Sequence, residues 1–101
     1  MSYARRVDTT HKPIKQTLEA AGFFVVDCSR FGGGFPDLIA TKHRRAYFIE
    51  CKSSKKVRMH AGDGLGQAQK DLIEAWKGPP IIVAETPEDA LRQINLQIRE
   101  V

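Results

Sequence analysis

The chain has no long apolar run. Its longest apolar stretches, Phe23–Val26 and Ala46–Ile49, are strand-sized and far short of the ~20 residues a membrane-spanning helix needs. Met1–Arg6 carries charge with no apolar segment behind it, so neither a signal peptide nor an extracellular setting is expected. Cysteine is scarce: Cys28 and Cys51 are the only two. Neither forms a CxxC pair, and no His/Cys spacing matches a zinc site. Reduced thiols in an intracellular protein are expected. Repeats, low-complexity tracts and composition shifts are missing as well. With 101 residues, one domain with a small core is the reading, residues 1–8 forming a loose polar arm. Hydrophobic residues at 42% and charged residues at 28% exclude disorder as the default.

What the chain has in excess is base. Net charge is +4 and the pI about 9.3. Residues 42–58 hold Lys42, Arg44, Arg45, Lys52, Lys55, Lys56 and Arg58 against Glu50 alone, whereas residues 59–101 hold seven acids and four bases. A basic centre on a mildly acidic remainder is the electrostatic footprint of a phosphate-backbone binder. A solvated lysine-rich loop has the same composition.

Helix and strand signals alternate along the chain. Thr9 or Thr10 caps a first helix with Pro13 in its first turn, Ile14, Leu18 and Ala21 on one face, and Gly22 at its end. Phe23–Asp27 reads as a strand, Gly32–Gly34 as a turn, and Pro36–Thr41 and Ala46–Ser53 as a hairpin closed by His43–Arg45. Ser54–Gly64 is a basic loop. Leu65, Ala68, Leu72, Ile73 and Trp76 mark one face of a second helix, ended by Gly78–Pro80. Ile81–Ala84 is a buried-type strand. Thr86, Pro87, Glu88 and Asp89 start a third helix with Leu91, Ile94 and Ile98 on its stripe. The order αβββαβα predicts a mixed β-sheet flanked by helices, an α/β fold.

The chemistry sits on the hairpin. Asp37, Ile39 and Thr41 share one face of their strand, and Phe48, Glu50 and Lys52 one face of the next. If these strands pair, Asp37 and Glu50 approach each other. With the Cys51 backbone carbonyl they make a partial oxygen cage of the kind Mg²⁺ takes, with waters and a substrate phosphate completing it. Lys52 points into the same space, where its ammonium holds the attacking water or stabilises the pentacoordinate phosphorus. The Cys51 thiol points to the core. A surface ion-pair cluster of Asp37, Glu50 and Lys52 is the plain alternative, worth little to stability.

Asp37 followed by Glu50-x-Lys52 resembles the PD-(D/E)XK signature of restriction-endonuclease-like nucleases. Gly34-Phe35-Pro36-Asp37-Leu38, Phe48-Ile49-Glu50-Cys51-Lys52, and a helix carrying Leu65-x-x-x-Gln69 and Trp76-x-Gly78-Pro79 are, together, similar to the VRR-NUC family. The likeness runs from Val7 to the last helix. It implies a Mg²⁺- or Mn²⁺-dependent phosphodiesterase, with small members similar to Holliday junction resolvases that act as homodimers. Catalytic roles fall on Asp37, Glu50, Lys52 and Gln69, and metal ligation on Asp37, Glu50 and the Cys51 carbonyl. Gln69 on an apolar stripe is otherwise a satisfied core amide. Such nucleases often carry a further glutamate on the first helix. Here Lys12-Pro13-Ile14 stands in its place, with Asp8 and Glu19 nearby in sequence.

Arg30, Lys55, Lys56 and Arg58 are the expected phosphate contacts, and His11, His43 and His60 read as surface histidines. The function these residues point to is structure-specific DNA cleavage of the Holliday junction type. A flap or nick nuclease inside a larger replication or repair assembly, and a non-catalytic DNA-binding module, are the alternatives. Resolving a four-way junction takes two symmetric cuts, so a C₂ homodimer is expected, with Leu96, off its helix stripe, as an exposed foothold.

Overall fold

Alternation along four short strands decides the architecture. The computed structural model describes residues 11–52 and 66–99. Its elements are α1 (His11–Ala20), β1 (Phe24–Asp27), β2 (Leu38–Lys42), β3 (Arg45–Cys51), α2 (Gln67–Ala75), β4 (Ile82–Ala84) and α3 (Pro87–Arg99). The strands form one mixed sheet in the order β1-β2-β3-β4, antiparallel up to β3 and parallel between β3 and β4. The expected αβββαβα order and α/β class are what the structure has. Among the described residues no helix is long and apolar enough to cross a membrane.

One face of the sheet makes the core. Val25, Leu38, Ala40, Tyr47, Ile49, Cys51, Ile82 and Ala84 point inward and meet Ile14 and Leu18 of α1 and Ala90 and Ile94 of α3. Burying each such Leu or Ile contributes about 1.5–3 kcal/mol. The start of α3 follows its sequence signals: the Asp89 N–H donates to Thr86 Oγ1 at 3.0 Å. Cys28 and Cys51 are both buried free thiols. Burial and the neighbouring Asp27 and Asp37 carboxylates push the Cys28 thiol up, which keeps it unreactive.

The hairpin turn is where the site is decided. The sequence pattern gave three residues to it, but Arg45 already pairs with Lys42, leaving a two-residue turn at His43 (φ 54°) and Arg44 (φ 67°). Two left-handed residues match the twist of the strands they join. The difference matters because one residue of register flips every side chain to the other face. With Lys42 opposite Arg45 and Leu38 opposite Ile49, the next pair outward is Asp37 with Glu50. A three-residue turn puts Asp37 against Cys51 and the two carboxylates on opposite faces.

Three other expectations need correction. Ile98, expected on the stripe of α3, is 43% exposed, because Ala90 and Ile94 supply the buried contacts. No residue of α2 is buried. Its Leu72 and Trp76 are half-covered and Ile73 faces solvent, since α2 lies over the site on the outer sheet face instead of closing a core. His11 is not a surface residue: it is buried, with Nε2 3.4 Å from Asp27 Oδ2, too poorly aligned for a hydrogen bond. His43 is exposed as expected, and His60 lies outside the described residues.

Candidate active site

Asp37 is fixed from both sides. Its backbone carbonyl accepts the Cys28 N–H at 2.7 Å, continuing the β1–β2 pairing. Its side-chain Oδ2 accepts the Cys51 N–H at 2.9 Å, a strand-to-strand bond made by a carboxylate in place of a peptide. The N–H and C=O of one strand residue project to the same side, so the Cys51 carbonyl faces the Asp37 side as well. The Cys51 side chain lies in the core, as the alternation requires.

Glu50 and Lys52 follow on the outer face of β3 and just beyond it. Both are nearly fully buried, at 5% and 6% exposure, which excludes the reading of a solvated surface cluster. Lys52 Nζ lies 3.3 Å from Glu50 Oε2 and donates to Gln69 Oε1 at 3.1 Å. The Gln69 amide nitrogen in turn donates to Glu50 Oε2, and its Oε1 also accepts the Gly66 N–H at 3.0 Å. One glutamine on α2 thus joins an acid of β3 and the base just beyond its end. Gln69 is partly exposed and bridges two charges, so it is not a core amide.

Electrostatics at Glu50 are strained. Burial, and then the Asp37 charge, raise its pKa to about 7, against the opposing pull of Lys52 and the Gln69 amide. Because the folded state keeps the Glu50 proton up to about pH 7 while the unfolded chain releases it near 4.5, stability falls as pH rises between those values. Glu50→Gln is therefore expected to stabilise the metal-free protein above pH 7, by on the order of 2–3 kcal/mol. Below about pH 4 it changes little. Thermal midpoints in EDTA at pH 4 and pH 8 check this, and equal midpoint differences at the two values count against it.

That strain is the test of whether a cation fits. Two carboxylates, one nearly buried and repelled by the other, are relieved by a divalent ion between them. Among the described residues no group of three or more His, Cys, Asp or Glu surrounds such a position. The donor set is two carboxylates and a peptide carbonyl, which suits a hard ion that keeps several waters. No further acid comes from α1: its Glu19 pairs with Lys15 at 2.8 Å, and Asp8 lies outside the described residues. Arg30 is exposed at the start of the β1–β2 loop. Lys55, Lys56 and Arg58 lie outside the described residues.

Sequence reasoning missed what surrounds this network. Phe35 packs edge-on against Trp76 at 6.3 Å, and Trp76 against Phe48 at 5.0 Å. This aromatic contact seats the C-terminal end of α2 on the sheet. At the other end, Gly34 presses on the Ala68–Gln69 peptide so closely that an added Cβ falls 2.5 Å from the Ala68 oxygen. A signal for the aromatic contact was present in the sequence, as Phe35 and Phe48 each precede one of the two acids by two residues.

A carboxylate before one strand, with an acid and a lysine at the end of its hairpin partner in a sheet of this order, is the arrangement of restriction-endonuclease-like nucleases. The family model of archaeal Holliday junction resolvases (Hjc) matches residues 2–98. The chain belongs to that family, whose members are structure-specific endonucleases acting on branched DNA. The VRR-NUC likeness agrees with it at the level of the shared superfamily. No curated protein and no solved structure gives a match.

Proposed function

We propose that the protein resolves four-way DNA junctions as a homodimer, using Mg²⁺ or Mn²⁺ held by Asp37, Glu50 and the Cys51 carbonyl. The observation that carries the reading is the buried Glu50–Gln69–Lys52 network beside an Asp37 carboxylate anchored on the Cys51 N–H. When bound, the ion supplies charge neutralisation at the phosphoryl oxygens and a more acidic water. Asp37 and Glu50 set the position of the scissile phosphate by fixing what binds between them. Lys52, held by Gln69 Oε1 and Glu50 Oε2, brings a positive charge that cannot swing away to where phosphorane charge builds up. Gln69 keeps the Lys52 ammonium and the Glu50 carboxylate apart from competing water and in fixed orientation.

The dimer follows from the substrate. A four-way junction is resolved by two cuts on strands of like polarity, related by the junction's own two-fold axis. One chain with one centre makes one cut at a time, and closed two-fold symmetry is the commonest way to supply two. Leu96 and Ile98 on α3 are 45% and 43% exposed, which supports an apolar contact there.

Labelled four-way junctions, flaps, nicked and linear duplexes incubated with the protein and Mg²⁺ or Mn²⁺ test the reading. Paired symmetric nicks in the junction, weak cutting of linear DNA and a light-scattering mass of two chains are expected. Preferential cutting of flaps, with one chain per DNA molecule, replaces it with a flap or nick nuclease acting within a larger assembly. Binding without cutting under any metal leaves a DNA-binding module.

A further inference from the structure

Phe31 stands 69% exposed on the loop that leads from β1 into Asp37. One exposed phenylalanine is unremarkable, but this one is supported. Its ring lies 5.3 Å from that of Phe35, tilted by 35°, and Phe35 continues through Trp76 to Phe48 on the sheet. Trp76 is itself tied down, its Nε1–H donating to the Pro79 carbonyl at 2.6 Å. Four rings therefore run in a row from the sheet to solvent, and Phe31 is the free end.

The loop backbone that presents the ring is fixed at each step. The Ser29 N–H and hydroxyl both donate to Asp27 Oδ1, at 2.9 and 2.7 Å. The Phe31 N–H donates to the Cys28 carbonyl at 3.0 Å and the Phe35 N–H to the Gly32 carbonyl at 3.2 Å. Gly34 then seats the loop against α2. An apolar ring held in water by an ordered backbone has little conformational freedom left to lose when something covers it.

Two features say what covers it. Phe31 and Asp37 belong to the one segment between β1 and β2, and Phe35, which the Phe31 ring contacts, stands two residues before Asp37, so a ligand held at Asp37 is placed to meet this ring. Its neighbour Arg30 is an exposed cation on a chain of net charge +4, which favours an anionic partner and opposes a second copy at this spot. DNA is that partner. Along a regular duplex the base faces are stacked out of reach, whereas at a branch point the flanking pair is exposed to an inserted apolar side chain once its stacking opens. We propose that Phe31 stacks on the base pair flanking the branch point and so fixes the cut at a set distance from it. The inference rests on the resolvase reading.

The test uses a four-way junction with 2-aminopurine at the branch-flanking position, bound by the full chain in EDTA and checked afterwards for intact strands. Wild type and Phe31→Trp are expected to change the fluorescence of the probe, and Phe31→Ala and Phe31→Leu to leave it near its free value. Junction affinity should fall at least about fivefold in Phe31→Ala, as for loss of one base–aromatic stack, with linear-duplex affinity within twofold of wild type. With metal, its cuts should spread over neighbouring phosphates. Unchanged junction affinity and cut position in Phe31→Ala overturn the inference, as does equal weakening on junction and linear DNA. Conversion of a dimer to a monomer also overturns it, by giving the ring to a contact between copies. A wild-type protein that neither binds nor cuts junctions fails at the first step, which marks failure of the resolvase reading itself.

Discussion

Asp37→Asn is expected to lower single-turnover junction cleavage by on the order of 10³-fold or more, while thermal stability and junction affinity stay close to wild type. The magnitude follows from removing one of two charges that define a preorganised centre. The fold is spared because Asp37 does its structural work through atoms that asparagine keeps. Its backbone carbonyl still accepts the Cys28 N–H, and an amide oxygen still accepts the Cys51 N–H in place of Oδ2. The substitution also has a signature away from catalysis. Asp37 is the second cause, after burial, of the raised Glu50 pKa, so Glu50 should titrate lower in the variant than in wild type when followed by carboxyl-carbon NMR without metal. Full cleavage by Asp37→Asn, or by wild type in EDTA, rules out the proposed centre.

Most of the sheet was legible because its strands alternate cleanly and their ends carry turn residues. The face assignments put Asp37, Ile39 and Thr41 together and Phe48, Glu50 and Lys52 together, and the residues that alternate with them, Leu38, Ala40, Ile49 and Cys51, are in the core. The same alternation singled out Asp37 and Glu50, but that they fall opposite one another depends on the turn. The turn itself was not legible, because His43 and Arg44 lack the glycine or asparagine that usually announces two left-handed positions. Their φ values are set by the strands they join, a tertiary fact that no local pattern carries. Helix α2 misled for a related reason. Its Leu72, Ile73 and Trp76 have the spacing of a core stripe, but its role is to hold Gln69 over Glu50 and Lys52 with Trp76 as its one aromatic anchor. Periodicity reports that a face is apolar and says nothing of how much surface waits to cover it. His11 shows the converse: a lone histidine in a polar segment gives no sign of being buried against Asp27.

The close seating of the loop on the helix carries the next largest effect after loss of the Asp37 charge. Gly34 has φ +80°, and a Cβ there meets the Ala68 oxygen at 2.5 Å, the Ala68 carbon at 2.6 Å and the Gln69 nitrogen at 2.7 Å. These are backbone atoms, so no rotamer change relieves the contact, and the loop and the first turn of α2 must part. Gly33 has φ +65° with nothing within 4 Å of its added Cβ. Alanine at either position bears the left-handed backbone penalty of about 1–2 kcal/mol, but only at Gly34 does it displace the peptide that carries Gln69. Gly33→Ala is therefore expected to lose stability in that range and keep most of its cleavage. Gly34→Ala should lose about 10²-fold in cleavage, the usual consequence of ångström-scale misplacement at a reacting centre. Trp76, packed between Phe35 and Phe48, reports the movement directly, so its emission should change in Gly34→Ala and not in Gly33→Ala. Equal cleavage by the two variants shows that the bridge from Gln69 to Glu50 and Lys52 does not depend on the loop, and that the glycine serves the turn alone.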